Sequence, residues 1–372
     1  MIGPRREKLA AALKETQADH ALLTSLASLR YFTGYSAGIE TGPSPFSPLM
    51  GALLWIAGEQ PRLFLADMES SESVVPGLEV TTFEGYTVEK PLAAAKDLSA
   101  KLLTRLEKLP ASRIGIESED LSAGIFERLR SARPQAAFHD ITSSLERLRL
   151  VKDDEEIALL REALGLCDLG QELTKKLARR GMTEVELFAE VRNGMEIRAG
   201  GRLPLLADLV SGPRTAEIGG PPSSRVIQEG DLIISDLVPR HQGYWGDTCN
   251  TCVVGEPTAE QRKIFDGIAA ALAEGIDKVH PGMRACDLDA DLRKRVLRLG
   301  GGYPHHSGHG LGVTWHEEPR IVPYNPLALQ PGMVIALEPG IYFKDRFGLR
   351  LEHAILVTEK GAEILSKFKH TL

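Results

Sequence analysis

The sequence predicts an α/β protein of the α+β type with two domains, the second of which contains a pseudo-two-fold internal repeat. Helical and strand patterns alternate through the first part of the chain, which is typical of a domain with a mixed sheet. The helical pattern is interrupted at residues 152–154, and two similar units of helices and a strand hairpin follow. We therefore expect a mixed-sheet domain over residues 1–145 and a repeat-containing domain over residues 152–372.

The size and composition of the chain are those of a globular protein and argue against several classes of partner. With 372 residues, of which 43% are hydrophobic and 26% charged, the chain can bury two ordinary cores. Its formal net charge is −7, whereas a nucleic-acid-binding protein needs a basic face. The longest apolar stretch, residues 50–57, is too short to span a bilayer. We therefore expect neither a nucleic acid nor a membrane as a partner.

The N-terminal segment, MIGPRREKLAAALKETQADH, has the charged and amphipathic pattern of a surface helix. A secretory signal peptide would contain a continuous apolar core, which this segment lacks. The sequence accordingly predicts a soluble cytoplasmic protein.

The elements of the first domain follow from the positions of apolar runs and turn residues. Gly58-Glu59-Gln60 separates two apolar runs and predicts a hairpin turn. The predicted helices cover residues 4–16, 90–107 and 121–131, and the predicted strands cover residues 20–25, 50–57, 61–66, 79–84 and 113–118. Residues 34–48, which are rich in Gly, Pro and Ser, form a longer loop than a connection needs. Such a loop indicates a functional or mobile segment.

The helices of the second domain begin at residues that favour helix starts. Asp153 and Asp154 precede a helical pattern, and acidic side chains stabilise the N-terminal end of a helix. Thr258 and Gln261 have the spacing of a capping box. The predicted helices cover residues 153–179, 184–199, 258–279 and 286–299.

A strand hairpin occurs twice in the second domain, with a carboxylate at the same two points of each copy. GDLIISD, which ends at Asp236, lines up with GMVIALE, which ends at Glu338. GYWGD, which ends at Asp247, lines up in the same way with GLRLE, which ends at Glu352. The repetition indicates two copies of one unit related by a pseudo-two-fold axis. The alternative is a chance similarity between two sets of amphipathic segments.

The four repeated carboxylates predict a metal site. Their charges repel one another, and their burial is costly unless a cation neutralises them. His309 lies in the glycine-rich segment HHSGHGLG, where the backbone can approach closely. Four carboxylates and one imidazole suit two divalent cations of the Mn²⁺, Co²⁺, Fe²⁺ or Zn²⁺ type, whereas a structural zinc site is typically rich in thiolates.

Several strings of the chain together resemble a known enzyme family. They are GDLIISDL, GYWGDT, GHGLG followed by HEEP, ALEPGIY and GLRLEHA. Five potential ligands in this order and at this spacing resemble those of the M24 metallopeptidases of pita-bread fold, in the branch of aminopeptidase P, prolidase and creatinase. ASLRYFTGYSAG is similar to a part of the creatinase-like N-terminal domain of that family. The resemblance covers nearly the whole chain and implies a metallopeptidase.

The resemblance also implies two divalent metal ions per subunit, with Mn²⁺ favoured and Co²⁺, Zn²⁺ or Fe²⁺ as alternatives. Asp236 would bind one ion, and His309 and Glu338 would bind the other. Asp247 and Glu352 would bridge the pair. A hydroxide held between two such ions can attack an amide carbonyl that the ions polarise. Glu338 or this hydroxide would manage the proton.

Four side chains match residues that the family uses around or next to its metals. The resemblance implies that His316 contacts the substrate and steadies the tetrahedral intermediate, and that His305 is another active-site histidine. Arg350 would orient the carboxylates, and Tyr342 would lie near the substrate. Simpler explanations stay open for each of them: a surface histidine, an ordinary salt-bridge partner or a core tyrosine.

Two positions depart from the family pattern. Proline-specific members carry a histidine, in a proline-histidine pair, upstream of the first metal aspartate, and the corresponding residue here is Gly219. The arginine-threonine pair that usually follows the second aspartate is replaced by Asn250-Thr251. Because the five ligands are all present, the departure at Gly219 concerns the substrate pocket.

The sequence favours a hydrolase that cleaves the amide bond before proline, in dipeptides or at the N-terminus of short peptides. Gly219 keeps a second hypothesis open, the hydrolysis of a small non-peptide amide or amidine on the same fold. A third hypothesis is a non-catalytic pita-bread binding protein, because a fold alone does not fix a function. In relatives, a loop of the N-terminal domain approaches a neighbouring subunit's active site. Residues 34–48 have the composition for such a loop, which implies a homodimer.

Overall fold

The computed structural model describes residues 2–36, 51–67, 78–85, 87–110 and 112–372. The chain divides into two compact units, Met1–Arg149 and Leu150–Leu372. Most of the loop predicted over residues 34–48 lies outside the described residues. In the described ranges, no helix is both long and apolar enough to cross a membrane.

The first unit is built on a mixed sheet, as the sequence predicts, and this sheet has six strands. Its strands are β1 His20–Leu23, β2 Ala52–Ile56, β3 Arg62–Ala66, β4 Glu79–Phe83, β5 Arg113–Ile116 and β6 Ala137–Asp140. Their order is β4-β3-β2-β1-β5-β6, with β1 antiparallel to β2 and parallel to β5. The helices are α1 Ile2–Glu15, α2 Leu26–Thr33, α3 Ala94–Leu106, α4 Ala123–Ala132 and α5 Thr142–Leu148.

Alternate residues of the central strands fill a core on each face of this sheet. Leu22 of β1 belongs to the same core as Leu54 and Phe64, whereas Leu23 belongs to the other core together with Leu53. Neighbouring residues of a strand point to opposite faces, so each strand contributes to both cores.

Strand β1 is shorter than the sequence predicts because a helix starts directly after it. The side chain of Ser25 accepts a hydrogen bond from the backbone N–H of Ser28 and caps α2. A serine in this position satisfies one of the N–H groups that a helix start leaves unpaired. The sequence patterns do not predict α2 or β6, and they indicate α5 only as a helical pattern without bounds before residue 152.

The second unit contains helices packed on two half-sheets. Its α-helices are α6 Asp154–Leu177, α7 Glu184–Ala199, α8 Ala259–Lys278 and α9 Ala285–Val296. Its strands are β7 Leu205–Ser211, β8 Leu232–His241, β9 Tyr244–Trp245, β10 Thr248–Val253, β11 Gly308–Gly310, β12 Glu317–Ile321, β13 Val334–Leu337, β14 Gly340–Phe343, β15 Phe347–Arg350, β16 His353–Thr358 and β17 Gly361–Ile364. Short 3₁₀ helices cover Gly212–Glu217 and Leu297–Leu299.

Capping residues start two of these helices where the sequence indicates. Thr258 and Gln261 form the predicted capping box of α8, with side chain and backbone bonded in both directions. Asp153 and Glu156 form a second capping box at the start of α6. Reciprocal capping of this kind satisfies two N–H groups at once.

The internal repeat appears as two antiparallel half-sheets of similar design. In the first, β8 lies between β7 and β10, and in the second, β13 lies between β11 and β16. Helices α6 and α7 pack on the first half-sheet, and α8 and α9 pack on the second. Strands β7, β11 and β12 are not predicted by the sequence patterns.

The hairpins themselves differ in detail from the prediction. Asp247 and Glu352 do not lie in strands but in the connections that lead into β10 and β16. β15 pairs with β14 instead of β13. Both acids nevertheless keep equivalent positions, because each directly precedes a strand, β10 or β16, that pairs with the central strand of its half-sheet.

Candidate functional site

A cavity of about 390 Å³ in the second unit is lined by residues from both half-sheets. All five predicted metal ligands line it: Asp236, Asp247, His309, Glu338 and Glu352. The predicted site residues His305, His316 and Arg350 line the same cavity. Tyr342 is linked to it through hydrogen bonds to two of these side chains.

The first half-sheet contributes Asp236 and Asp247. Asp236 lies within β8, directly opposite Asp208 of β7. Asp247 follows β9 and is almost fully buried. Gly246 allows this burial, because a Cβ atom at that position would lie 2.8 Å from the carbonyl oxygen of Ala163. The chain thus passes too close to α6 for a larger residue.

The second half-sheet contributes His309, Glu338 and Glu352. His309 lies in β11 opposite Ala336 of β13, and Glu338 directly follows β13. The backbone N–H of Glu352 donates to the carbonyl oxygen of Cys249 at 2.9 Å. This hydrogen bond joins the two half-sheets beside the site.

The donor atoms lie close enough to share a cation. Ligand atoms of Asp247, His309 and Glu352 all lie within 4.8 Å of one another. Nε2 of His309 lies 3.5 Å from Oδ2 of Asp247 and 3.7 Å from Oε1 of Glu338. Donors that sit about 2.0–2.2 Å from one ion are roughly 3–4 Å apart, so these separations are near those of a metal site.

Glu352 gives the clearest indication that the cavity needs a cation. The residue is 1% exposed, and within the described part of the chain neither of its carboxylate oxygens has a hydrogen-bond partner. Burial, with the charges of Asp247 and Asp236, raises the pKa of Glu352 well above its ordinary value. A buried carboxylate in this state is costly unless a cation coordinates it. The residues therefore fit a divalent metal.

The other carboxylates differ in their electrostatic state. Burial raises the pKa of Asp236 to about 6 despite the opposing charge of Arg350. Burial and the charges of Asp236 and Glu338 raise the pKa of Asp247 well above its ordinary value. Burial also acts to raise the pKa of Glu338, but the hydrogen bond and charge of His306 outweigh it and hold that pKa well below its usual range.

Three histidines surround the carboxylates. Nε2 of His306 lies 2.7 Å from Oε1 of Glu338, and the rings of His316 and His309 have centroids 4.0 Å apart. Burial lowers the pKa of His305 to about 4 and that of His316 to about 3. Both rings are therefore neutral at pH 7, with one nitrogen as donor and the other as acceptor.

Arg350 connects the carboxylates to the histidines. Its Nη2 donates to Oδ2 of Asp236 at 2.7 Å, and its Nη1 donates to the carbonyl oxygen of Ile218 at 2.7 Å. Nη1 also donates to the hydroxyl of Tyr342 at 3.0 Å, and this hydroxyl lies 3.0 Å from Nε2 of His305. Arg350 and Tyr342 thus link Asp236 to His305 in one buried hydrogen-bond network. Partners of this kind orient the side chains that bind a metal.

Two family models match the chain over almost its full length. The model described as metallopeptidase family M24 matches residues 158–359, and that of the creatinase/prolidase N-terminal domain matches residues 5–151. The chain belongs to metallopeptidase family M24. The resemblance and the fold class inferred from the sequence are thereby confirmed, and the M24 assignment implies the use of a divalent metal.

Individual M24 relatives resemble the chain over its entire length. The Xaa-Pro dipeptidase of Pyrococcus furiosus is 29% identical over 99% of both chains, and a putative dipeptidase of Bacillus subtilis is 28% identical over 99% of both. The solved prolidase of Pyrococcus horikoshii OT3 has a TM-score of 0.84 at 27% identity, over 98% of this chain and 99% of its own. The X-Pro aminopeptidase of Thermotoga maritima has a TM-score of 0.83 at 25% identity, over 98% of both chains.

The structure of this M24 metallopeptidase adds two residues that the sequence analysis did not assign to the site. His306 bonds to Glu338, and Asp208 shares the guanidinium of Arg350 with Asp236. A correct prediction of β7 and of its register on β8 would have placed Asp208 opposite Asp236. At the second departure from the family pattern, Asn250-Thr251, the Thr251 hydroxyl donates to the carbonyl oxygen of Arg350 at 2.8 Å. This hydrogen bond joins β10 to β15.

Proposed function

We propose that this M24 metallopeptidase cleaves the amide bond before proline, in Xaa-Pro dipeptides or at the N-terminus of short peptides. Its similarity to an Xaa-Pro dipeptidase over 99% of the chain supports this substrate class. The observation that carries the proposal is the buried Glu352, which lies beside Asp247 and His309 and whose two carboxylate oxygens have no hydrogen-bond partner among the residues that the structure describes. A cavity that needs a cation is suited to metal-assisted hydrolysis of an amide.

We further propose that two divalent ions are held by Asp236, Asp247, His309, Glu338 and Glu352. Mn²⁺ is the preferred candidate, with Co²⁺, Zn²⁺ and Fe²⁺ as alternatives, since carboxylate and imidazole ligands suit all of them. Such ions, when bound, polarise a carbonyl group and lower the pKa of coordinated water.

Glu338 is proposed to handle the proton of the reaction. Its carboxylate is held in the ionised form beside His306, so that an oxygen can accept a proton from the attacking water. Transfer of that proton to the proline nitrogen would complete the cleavage, because the nitrogen must be protonated to leave. His306 would limit the freedom of this carboxylate to rotate.

His316 and His305 are proposed to act on the substrate as neutral imidazoles. A neutral N–H group of His316 can donate to the carbonyl oxygen as negative charge develops on it. His305 is held by Tyr342, which is proposed to lie at the substrate side of the network. Arg350 is proposed to hold Asp236 in place.

We also propose a cytoplasmic homodimer, in which residues 1–145 form the N-terminal domain and residues 152–372 the metallopeptidase domain. The matches of two family models to residues 5–151 and 158–359 support this division. Light scattering at micromolar concentration should give the mass of a dimer, and a strict monomer would refute the dimer. The cytoplasmic location stays a prediction for cell fractionation to test.

The activity is tested on purified protein whose Mn²⁺ content has been measured. Ala-Pro and a longer peptide beginning Ala-Pro should both be offered, with Ala-Ala as the matched substrate without proline. We expect turnover of one or both proline substrates and much slower turnover of Ala-Ala. Failure to cleave either proline substrate with metal bound would refute the proposal.

A second candidate function is the hydrolysis of a small non-peptide amide or amidine. It is favoured by the wall of the cavity near Gly219, where Asp208 occupies the space in which a side chain at position 219 would begin. A screen of a metabolite library against the metal-loaded protein separates the two functions. Consumption of peptides alone would discard the second candidate.

A further inference from the structure

Asp208 places a carboxylate in the wall of the cavity without being one of the five proposed ligands. Its side chain is 39% exposed, whereas that of the neighbouring Asp236 is 15% exposed. Oδ2 of Asp208 lies 3.2 Å from Nη2 of Arg350, which it shares with Asp236. Within the described part of the chain, no hydrogen bond involves Oδ1 of Asp208. A partly exposed carboxylate with one unengaged oxygen can bind a cationic group that enters the cavity.

Gly219 makes room for this carboxylate. A Cβ atom at position 219 would lie 1.9 Å from Oδ2 and 2.5 Å from Cγ of Asp208, so any side chain there would displace the aspartate. The preceding residue, Ile218, has φ 79° and ψ −52°, a strained conformation for a β-branched residue. Its carbonyl oxygen accepts a hydrogen bond from Arg350, which also contacts Asp208. The glycine and the aspartate thus form one structural unit.

Besides Asp208 and the charged groups next to it, the cavity has apolar residues in its wall. They are Leu206, Ile218, Pro221, Val238 and Trp315. Apolar walls accommodate methylene groups, and Asp208 supplies a negative charge beside them. An aliphatic stem with a cation at its end therefore matches this wall in both shape and charge, whereas an acidic side chain would be repelled.

We propose that Asp208 is a specificity-determining residue that selects substrates with a basic, lysine-like or arginine-like side chain before the scissile bond. The inference rests on the proposed function, because it assumes that the peptide binds in this cavity. The ammonium or guanidinium group pairs with the Asp208 carboxylate while its methylene groups contact the apolar wall.

The test compares metal-loaded wild type with Asp208→Asn on Lys-Pro, Met-Pro and Glu-Pro, whose first side chains are similar in length. Wild type should favour Lys-Pro over Met-Pro in kcat/KM by about tenfold or more, and Glu-Pro should be the poorest substrate. Asp208→Asn should bring the ratio of Lys-Pro to Met-Pro near one, mainly through KM. An unchanged ratio, or an equal loss on all three substrates, would overturn the proposal.

Two further variants separate a charge effect from a general disturbance. Asp345→Asn removes a negative charge from an exposed turn outside the cavity and should keep the wild-type ratio. Gly219→Ala should displace Asp208 and lower the preference for Lys-Pro, and adding Gly219→Ala to Asp208→Asn should lower it no further. If the two substitutions lowered the kcat/KM ratio of Lys-Pro to Met-Pro independently and additively, the proposed coupling between Gly219 and Asp208 would be wrong.

A binding measurement keeps this inference distinct from the proposed function. If wild type cleaved no Xaa-Pro dipeptide, the proposed function would fail, and calorimetric titration of the metal-loaded protein with L-lysine and L-norleucine would still test Asp208. Lysine should bind about tenfold more tightly than norleucine to wild type and equally to Asp208→Asn. Equal binding of both amino acids to wild type would overturn the proposal.

Discussion

The guanidinium of Arg350 donates through Nη2 to Oδ2 of Asp236 at a distance of 2.7 Å. The Arg350 side chain is only 4% exposed, so this ion pair is nearly removed from water. Arg350 is the group that opposes the effect of burial on the pKa of Asp236. It therefore favours the ionised form of Asp236, which is the form that binds a metal.

Replacement of Arg350 by Met should weaken metal binding and activity together. We expect metal affinity and kcat/KM to fall about 10–100-fold, because the proposed ligand Asp236 loses the partner that orients it. Metal titration by calorimetry and steady-state kinetics measure the two effects. The control is Arg346→Met, at the exposed end of the β14–β15 hairpin, which should match wild type in both. Wild-type metal affinity in Arg350→Met would contradict the role given to this arginine.

The sequence predicts the carboxylates of this site well because each has a local signature. Asp236 and Glu338 come at or next to the end of an apolar run that must be a buried strand, and the repeat marks both of them. Their meeting in one cavity follows from the pseudo-symmetry of the two half-sheets. The set of proposed ligands could therefore be inferred without knowing how β7 or β11 pair.

The contacts of His306 and Asp208 could not be predicted in this way. His305 and His306 are neighbours, and only the path of the backbone determines that His306 bonds to Glu338 whereas His305 bonds to Tyr342. Asp208 reaches the site through the register of β7 on β8, a strand that the sequence analysis missed. Such contacts depend on tertiary packing, which local sequence patterns do not determine.

Glu352→Gln should make the metal-free protein more stable while removing much of the stabilisation by metal. The folded state holds the pKa of Glu352 above its ordinary value of 4.5, so this carboxyl favours unfolding once the pH exceeds 4.5. Glutamine lacks that effect, and we expect the gain to grow with pH to about 1–3 kcal/mol. Thermal unfolding in the presence of a chelator and in the presence of Mn²⁺ measures the stability of the metal-free and the metal-loaded protein. The control is Glu359→Gln, which lies in an exposed turn. A Glu352→Gln variant that is less stable than wild type without metal would contradict the prediction.

Metal uptake should release protons and weaken as the pH falls. Burial raises the pKa of Asp236 to about 6 and raises those of Asp247 and Glu352 as well, so the metal-free carboxyls hold protons that a metal must displace. His309 has a pKa lowered to about 4 and already offers a neutral nitrogen. Calorimetry in buffers of different ionisation enthalpy counts the released protons. Metal affinity should drop steeply below pH 6, and an affinity independent of pH between 5 and 8 would show the prediction to be wrong.

The ion pair of Lys152 and Glu317 should be essential for the stability of the segment that carries His316. Nζ of Lys152 lies 2.9 Å from Oε2 of Glu317, and the two side chains are 0% and 6% exposed. Lys152→Met removes the ammonium group that pairs with the buried Glu317 carboxylate and should cost about 3–5 kcal/mol of unfolding free energy.

The double variant Lys152→Met, Glu317→Gln tests whether the lost charge pairing with Lys152 causes that destabilisation. Removing the charge of Glu317 as well should recover part of the stability, because Oε1 still accepts hydrogen bonds from Thr314 and the side chain at position 317 is then neutral. Chemical unfolding with chelated metal gives the free energies, with Lys360→Met in an exposed turn as the control. The opposite result would be a double variant with a lower unfolding free energy than Lys152→Met. In that case the two side chains would stabilise the protein through packing and not through their charges.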